Sequence, residues 1–480
     1  MNDNQKQDSA FKRVPDDNNH NDARNCNKKP KKEGLNEYRG WKVPSDKYRI
    51  PIITNDITPE QFYHEYIKQR RPVILRYEKV PSDFHRLEEW KNNNQHLRKL
   101  AGQESVVVER RRCKTDSFGK GKREVTMKFG EFLTNFIEKG DDSHYLTTQD
   151  VQADPETGRP DLMAPFMKAL QNDFPFRPQL MGHLILSNIN LWMGSSSGVS
   201  SGLHHDYHDN LYIVLRGEKQ FRLYSPHDAE LMYTRGTLER VHPNGRINHV
   251  GETTTAYGAD VKAHVAAQAA QAQALAEQAL MDAEQAVAEG QPGAKEALEK
   301  AEANLEETME AMLDAEFSDE GECSNDDDDD DDDENENDDS DLDDNNDALE
   351  IFGGEQRLVD KTVQEPNNFS EIDPHLLPSL KSDNDATNET LKSKYPKFLQ
   401  AKSAICHVKQ GDILYLPASW FHEVTSFSSE DGHLALNYWF HPPDASDCFE
   451  DPYSTKFWEQ DYQQRMEQDN EKPNQDSCVR

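Results

Sequence analysis

The residues between Ser201 and Pro226, SGLHHDYHDNLYIVLRGEKQFRLYSP, concentrate groups able to bind a metal. On an extended strand, side chains two residues apart share a face, so His204 and Asp206 would present an imidazole and a carboxylate together. A third donor has to come from elsewhere, and His422 in GDILYLPASWFHEV, at the end of a strand leaving a Pro-containing turn, is the best placed. Two imidazoles and one carboxylate on one side of a metal leave positions open, which suits non-haem Fe(II) that must also bind a chelating co-substrate and O₂. The spacing alone does not settle the ligands. His205, His208 and Asp209 are rivals, and strand alternation cannot dismiss His208, which has the parity of His204. Lys219 sits beside the turn Arg216-Gly217-Glu218, where a lysine is ordinarily a solvated hairpin residue.

The elements that must hold these groups read as mainly β behind an α/β N-terminal layer. In the layer, residues 41–180, Thr58 is a candidate N-cap for a helix with Phe62, Tyr63 and Tyr66 at helical spacing. PVILRY and SVVVERRR read as strands, the stretches Asp83–Leu100 and Lys128–Glu138 as helices, the latter with Phe129, Phe132 and Phe136 on one face. From Leu184 the period becomes two, through LILSNINLWMG, DNLYIVLRG and EKQFRLYS, and it resumes in AICHVKQG, DILYLPASWFHEV and GHLALNYWFHPP. Short strands with Gly-containing turns predict a small barrel or double sheet, split into residues 181–257 and 351–445. Between them, 258–350 divides in two. Asp260 to Phe317 is Ala-, Glu- and Gln-rich and broken at Gly290, Pro292 and Gly293, which predicts two helices; Leu298, Leu305 and Met312 recur at the seven-residue spacing of a coiled coil. Eight consecutive Asp, Asp326 to Asp333, lead an acidic tract that repels itself and reads as an extended disordered segment. Residues 446–480 hold an amphipathic helix, Tyr453 to Glu467, and a tail. That helix is expected to pack on the barrel, with pairing of two copies into a homodimer as the alternative.

Charge sharpens the division. The 480 residues carry a formal charge of −36 with 34% hydrophobic residues, a balance near that of disordered chains. Yet Asp314 to Glu350 alone holds 22 acidic residues and no Lys or Arg, leaving 68 acids against 54 bases elsewhere. A folded protein interrupted by an acidic appendage accounts for this better than global disorder. A nucleic-acid partner is disfavoured for want of a basic footprint. No apolar run approaches the roughly 18 residues of a membrane span, and MNDNQKQDSA, without an apolar core behind a basic start, is not expected to act as a secretory signal. Six scattered Cys without a CxxC pair fit a reducing compartment, and Lys28, Lys29, Lys31 and Lys32 in the disordered arm 1–40 read as either a nuclear-import signal or a solvated tail. The expected location is therefore nucleus or cytoplasm.

HxD on a strand, a Lys fifteen residues after His204 in a GxK strand running into YSP, and then GD-x-L-x-x-P-x-x-W-x-H together resemble the JmjC hydroxylases. These are cupin-like oxygenases dependent on Fe(II) and 2-oxoglutarate. The closest pattern is the branch holding the asparaginyl hydroxylase of hypoxia-inducible factor and the small lysyl and arginyl hydroxylases. The resemblance runs from about Pro51 to Pro443, apart from the insert, and implies a double-stranded β-helix (jelly-roll or cupin) barrel. It implies iron ligation by His204, Asp206 and His422, and a 2-oxoglutarate site in which Lys219 pairs with the distal carboxylate. Ser201 and Tyr145 match hydroxyl positions at that carboxylate, Tyr145 by the looser alignment. Asn210 and Asn437 match amides nearer the metal, and Trp439 an aromatic wall. Each has a structural alternative: Asn210 as a turn cap, Trp439 and Trp420 as core aromatics. The family joins HxD to the distal His in far fewer residues than separate Asp206 from His422, so the insert is expected to be a loop between barrel elements.

The resemblance thus implies hydroxylation of a side chain in an intracellular protein. Two alternatives stand beside it: N-methyl-lysine demethylation by the same chemistry, or a non-catalytic cupin-like scaffold whose acidic insert recruits a basic protein partner.

Overall fold

A computed structural model describes residues 35–77, 81–91, 93–111, 118, 123–153, 159–317, 359–360, 366–377, 385–445 and 447–471. The basic run at Lys28 to Lys32 and the acidic tract from Asp326 to Asp333 lie outside these residues.

Nine strands carry the site: β1 Leu186–Gly194, β2 Val199–Ser200, β3 His204–His205, β4 Asp209–Arg216, β5 Glu218–Tyr224, β6 Ala404–Lys409, β7 Ile413–Leu416, β8 Phe421–Phe427 and β9 His433–Phe440. They divide between two sheets. The larger runs Val359–Asp360, Arg123–Lys128, Ser105–Arg110, His144–Leu146, β1, β9, β4, β7, Val73–Leu75, Ile52–Ile53. The smaller runs Tyr48–Arg49, β6, β5, β8, β2, with β3 also paired to β8. Consecutive strands β4 and β5, β6 and β7, and β8 and β9 lie in opposite sheets, so the chain crosses from one sheet to the other at each turn. This is the cupin-like, mainly β arrangement expected from the sequence, seen as two sheets packed face to face.

Because β4 and β5 belong to different sheets, the expected hairpin at Arg216-Gly217-Glu218 is a crossing instead. Gly217 is required there. Its φ is +70°, and a Cβ would lie 2.4 Å from the Phe427 carbonyl oxygen.

One core fills the space between the sheets, with Tyr212, Val214, Leu414, Leu416 and Ala435 from the larger meeting Phe221, Leu223, Cys406 and Val408 from the smaller. The alternate residues of β4, Leu211, Ile213 and Leu215, face a second core under the N-terminal helices. Strand β4 is therefore buried on both faces, which is why it reads as a nearly unbroken apolar run. Full burial of each such side chain contributes roughly 1.5–3 kcal/mol.

The N-terminal layer follows its local signals in part: the single helix expected over Asp83–Leu100 is instead a 3-10 turn, Ser82–Leu87, and two helices, Glu88–Lys91 and Asn94–Ala101, the second starting afresh where the Asn93 side chain accepts from His96 N. Thr58 caps its helix through a capping box with Gln61, and Phe129 and Phe132 are fully buried. Two of its helices pass into π-helical turns at Tyr63–Ile67 and Leu133–Ile137. Helix α1 (Val261–Ala288) and helix α2 (Ala294–Phe317) pack along one another across the break at Gly290 to Gly293. Their contact is lined by Ala276 and Ala283 against Ala294 and Ala301, with Leu298 and Leu305 half-buried. Asp260 caps α1 by accepting from Ala263 N. Helix α3 (Phe457–Glu471) packs on the same chain, as expected: Phe457, Trp458, Tyr462 and Met466 join the larger core, and Trp458 Nε1 donates to Tyr257 O at 2.8 Å.

Candidate metal centre

Strand β3 is only two residues long, and antiparallel pairing with β8 sets His204 opposite His422. Asp206 follows directly, its backbone fixed by the Ser419 amide, which donates to Asp206 O at 2.7 Å. The three ligand atoms of His204, Asp206 and His422 all lie within 4.8 Å of one another, with His422 Nε2 3.5 Å from Asp206 Oδ2. Among the described residues no other group of three such side chains converges in this way.

Both imidazoles are held for the task. His204 Nδ1 lies 3.0 Å from Gly202 O and His422 Nδ1 2.9 Å from Trp420 O. A carbonyl can only accept, so each Nδ1 carries the proton and each Nε2 keeps its lone pair for a metal. Burial, with the neighbouring His422, pushes His204 down to about 4, so the imidazole is neutral at physiological pH. The donor set of two imidazoles and a carboxylate fits Fe(II), and the three side chains line a cavity of about 220 Å³.

The rivals are spent elsewhere. Asp209 is fully buried in a bidentate pair with Arg70 and also accepts from Tyr415 Oη at 2.7 Å and Ala418 N at 2.9 Å. His205 packs away from the cavity, stacked on His249 at 5.4 Å. The chain bends at Tyr207 and His208 before β4 begins, which breaks the alternation, and the His208 ring lies on Trp439 at 5.8 Å.

Lys219 is not a solvated turn residue. It is fully buried on β5, between β6 and β8. Its ammonium donates to Ser426 Oγ at 2.7 Å and His433 Nδ1 at 3.2 Å, with Tyr145 Oη at 3.4 Å. Among the described residues no carboxylate pairs with it, and burial pushes it down to about 7. A buried ammonium without a counter-ion fits a carboxylate ligand that the protein does not itself supply.

The other expected residues fall into two layers. Ser201, Tyr145, Asn210 and Trp439 line the cavity. Ser201 Oγ is committed to the backbone, donating to Gly202 O and accepting from Val424 N, so the hydroxyls at Lys219 are those of Ser426 and Tyr145. Asn437 stands in a chain of amides, accepting from Trp192 Nε1 at 2.8 Å and donating to Asn210 Oδ1 at 3.2 Å. Sequence reasoning missed Ser426, His433 and Phe369. Ser426 was within reach, because it lies directly across from Lys219 in the β5–β8 pairing.

Comparison with known proteins agrees with this geometry. The profile of the cupin-like domain family matches residues 59–446. The chain is 32% identical over 438 residues to "JmjC domain-containing protein 4" of Schizosaccharomyces pombe, covering 87% of this chain and 90% of that protein. Shorter likenesses join it to "Bifunctional peptidase and (3S)-lysyl hydroxylase JMJD7" of Homo sapiens, 33% identical over 18% of this chain and 22% of that protein. "Lysine-specific demethylase JMJ32" of Arabidopsis thaliana is 36% identical over 16% of this chain and 22% of that protein.

Proposed function

The chain belongs to the cupin-like domain family with a JmjC-type centre, and from that premise we propose that it is an Fe(II)- and 2-oxoglutarate-dependent oxygenase hydroxylating a side chain of a protein. One observation carries this reading: an open His204–Asp206–His422 face lines a cavity whose walls also include Tyr145 and Ser426, and these two hold the buried ammonium of Lys219, which has no carboxylate partner among the described residues. When bound, iron and 2-oxoglutarate supply an oxidative decarboxylation in which R–H, 2-oxoglutarate and O₂ give R–OH, succinate and CO₂.

The chain's own residues bind, orient and shield. His204, Asp206 and His422 would hold the metal, their rings set by the Gly202 and Trp420 carbonyls. Lys219 would pair with the distal carboxylate of the dicarboxylate, Ser426 and Tyr145 sharing its hydrogen bonds. The Trp192–Asn437–Asn210 chain fixes an amide at the cavity wall, available to orient a bound carboxylate. Phe118, Phe369 and Trp439 line the cavity with apolar surface and exclude water from the reacting carbon.

Succinate release tests the reading. The full-length protein, supplied with Fe(II), 2-oxoglutarate and candidate protein substrates, should form succinate together with a +16 Da product, and His204→Ala should form neither. Formaldehyde from methylated substrates would replace hydroxylation by demethylation. Iron-loaded protein that never consumes 2-oxoglutarate would refute both.

A further inference from the structure

The chain that returns after the helical pair does so against the metal centre. Residues 367–371, a turn at Asn367 and Asn368 leading into the bridged residues Phe369 and Ser370, lie between β3 and the stretch 233–236. On one side His205 N donates to Asn368 O at 3.1 Å, Asn368 Nδ2 donates to His205 O at 2.6 Å, and Ser370 N donates to Leu203 O at 2.8 Å. On the other, Arg235 N donates to Phe369 O at 2.8 Å, Gly236 N to Asn367 O at 3.0 Å, and Glu371 N to Tyr233 O at 2.8 Å. Strand β3 is thereby gripped from both edges: β8, which carries His422, on one and this returning segment on the other.

The contact that matters is between rings. Phe369 is 8% exposed and lies flat on His204, with centroids 4.8 Å apart and planes inclined by 10°. The hydrogen bond from His204 Nδ1 to Gly202 O fixes one edge of the imidazole but lets the ring swing about that bond. A flat neighbour fixes the plane. The His422 ring lies 4.3 Å from that of His204 at 55°, a tilted contact, and the ligand atoms of the two stay within 4.8 Å of each other. Phe369 offers no donor or acceptor, so it cannot ligate a metal and would act on one through the orientation of His204.

We propose that Phe369 is a positioning residue for His204, and that the returning segment Asn367 to Glu371 pre-forms the metal centre before metal arrives. This rests on the reading of His204, Asp206 and His422 as metal ligands. It goes beyond that reading by assigning part of the metal affinity to a residue that is not itself a metal ligand.

Co(II) alone is the probe, titrated into the full-length protein and followed by its visible absorption. Phe369→Leu keeps the site apolar and filled but removes the flat face; Phe369→Tyr keeps the face. The Leu variant should bind Co(II) about tenfold more weakly, the low end for residues that orient a ligand, while the Tyr variant stays within about threefold of wild type. Should the Leu variant melt early without metal, Phe369→Met makes the same comparison. A Leu or Met variant that folds and binds Co(II) like wild type overturns the proposal, as does a Tyr variant that loses as much as Leu. The His204→Ala control separates the two claims. Wild-type binding that survives His204→Ala overturns the ligand assignment itself, whereas His204-dependent binding untouched by Phe369→Leu overturns only the positioning role.

Discussion

Dicarboxylate affinity is expected to fall steeply between pH 7 and 9, because the ammonium that would pair with the distal carboxylate loses its proton in the ligand-free protein. Burial without a counter-ion pushes Lys219 down to about 7 from an ordinary 10.5. Its neighbours do not titrate in this window: burial and the Lys219 charge hold His433 well below the usual histidine range, and burial holds Tyr145 well up. About half of the free protein then carries the charge at pH 7 and about 1% at pH 9, so affinity falls about 50-fold if only the charged form binds. The stability sign follows from the same shift. The folded value lies below the unfolded one, so the unfolded chain holds more protons between about pH 7 and 10.5, and ligand-free stability rises through that range. The penalty from Lys219 is on the order of 4 kcal/mol at pH 7 and half that at pH 9. Titration calorimetry at pH 7, 8 and 9, in buffers of different ionisation enthalpy, reads both the affinity and the protons taken up, which should approach one per ligand at the higher pH. Lys219→Met should weaken binding about 10- to 100-fold at pH 7, abolish the pH slope and raise the melting temperature of the free protein. A flat affinity from pH 7 to 9 with no proton uptake would refute the reasoning.

Three further outcomes follow from named contacts. Asp206→Ala should abolish Co(II) absorption at the triad while the metal-free melting temperature holds, since the backbone bond from Ser419 survives the change; retained absorption counts against Asp206 as a ligand. Asp209→Asn strands the buried Arg70 guanidinium and should cost about 3–5 kcal/mol in urea denaturation, a loss under about 1 kcal/mol being the contrary result. Gly194→Ala places a Cβ 2.8 Å from Tyr145 Cδ2 and 3.1 Å from His433 Nε2, so it should weaken dicarboxylate binding about tenfold and leave Co(II) affinity unchanged. Equal loss of both would mean a general distortion of the cavity.

Much of the site was legible because its residues lie on short regular strands. The HxD spacing works since β3 runs straight into Asp206, and the two-helix reading of Asp260 to Phe317 holds because Gly290, Pro292 and Gly293 punctuate an otherwise uniform helical composition. What escaped was set by pairing across sheets. Parity could not separate His208 from His204, because the bend at Tyr207 and His208 is invisible to alternation. Lys219 looked exposed from its place beside a turn, whereas β6 and β8 flank it on both edges. Asp209 looked free until Arg70, 139 residues earlier, was found bonded to it. Phe369 had no signal at all: PNNFSE carries neither helical nor strand periodicity, and its role comes from lying beside β3.

The excursion between Glu252 and Asn367 begins and ends at one place, for Asn367 Nδ2 comes within 3.5 Å of Glu252 Oε1 across 115 positions. On a ribosome adding about 5–20 residues per second, some 5–25 seconds separate the appearance of those two residues. His204 and Asp206 therefore emerge long before Phe369, and longer still before His422. Lengthening the excursion costs little at equilibrium, about 0.6 kcal/mol per doubling, yet every added residue lengthens the wait. A metal centre completed by such a late arrival could close only on a chain synthesised through β8, so metal retention would report that synthesis has passed that strand.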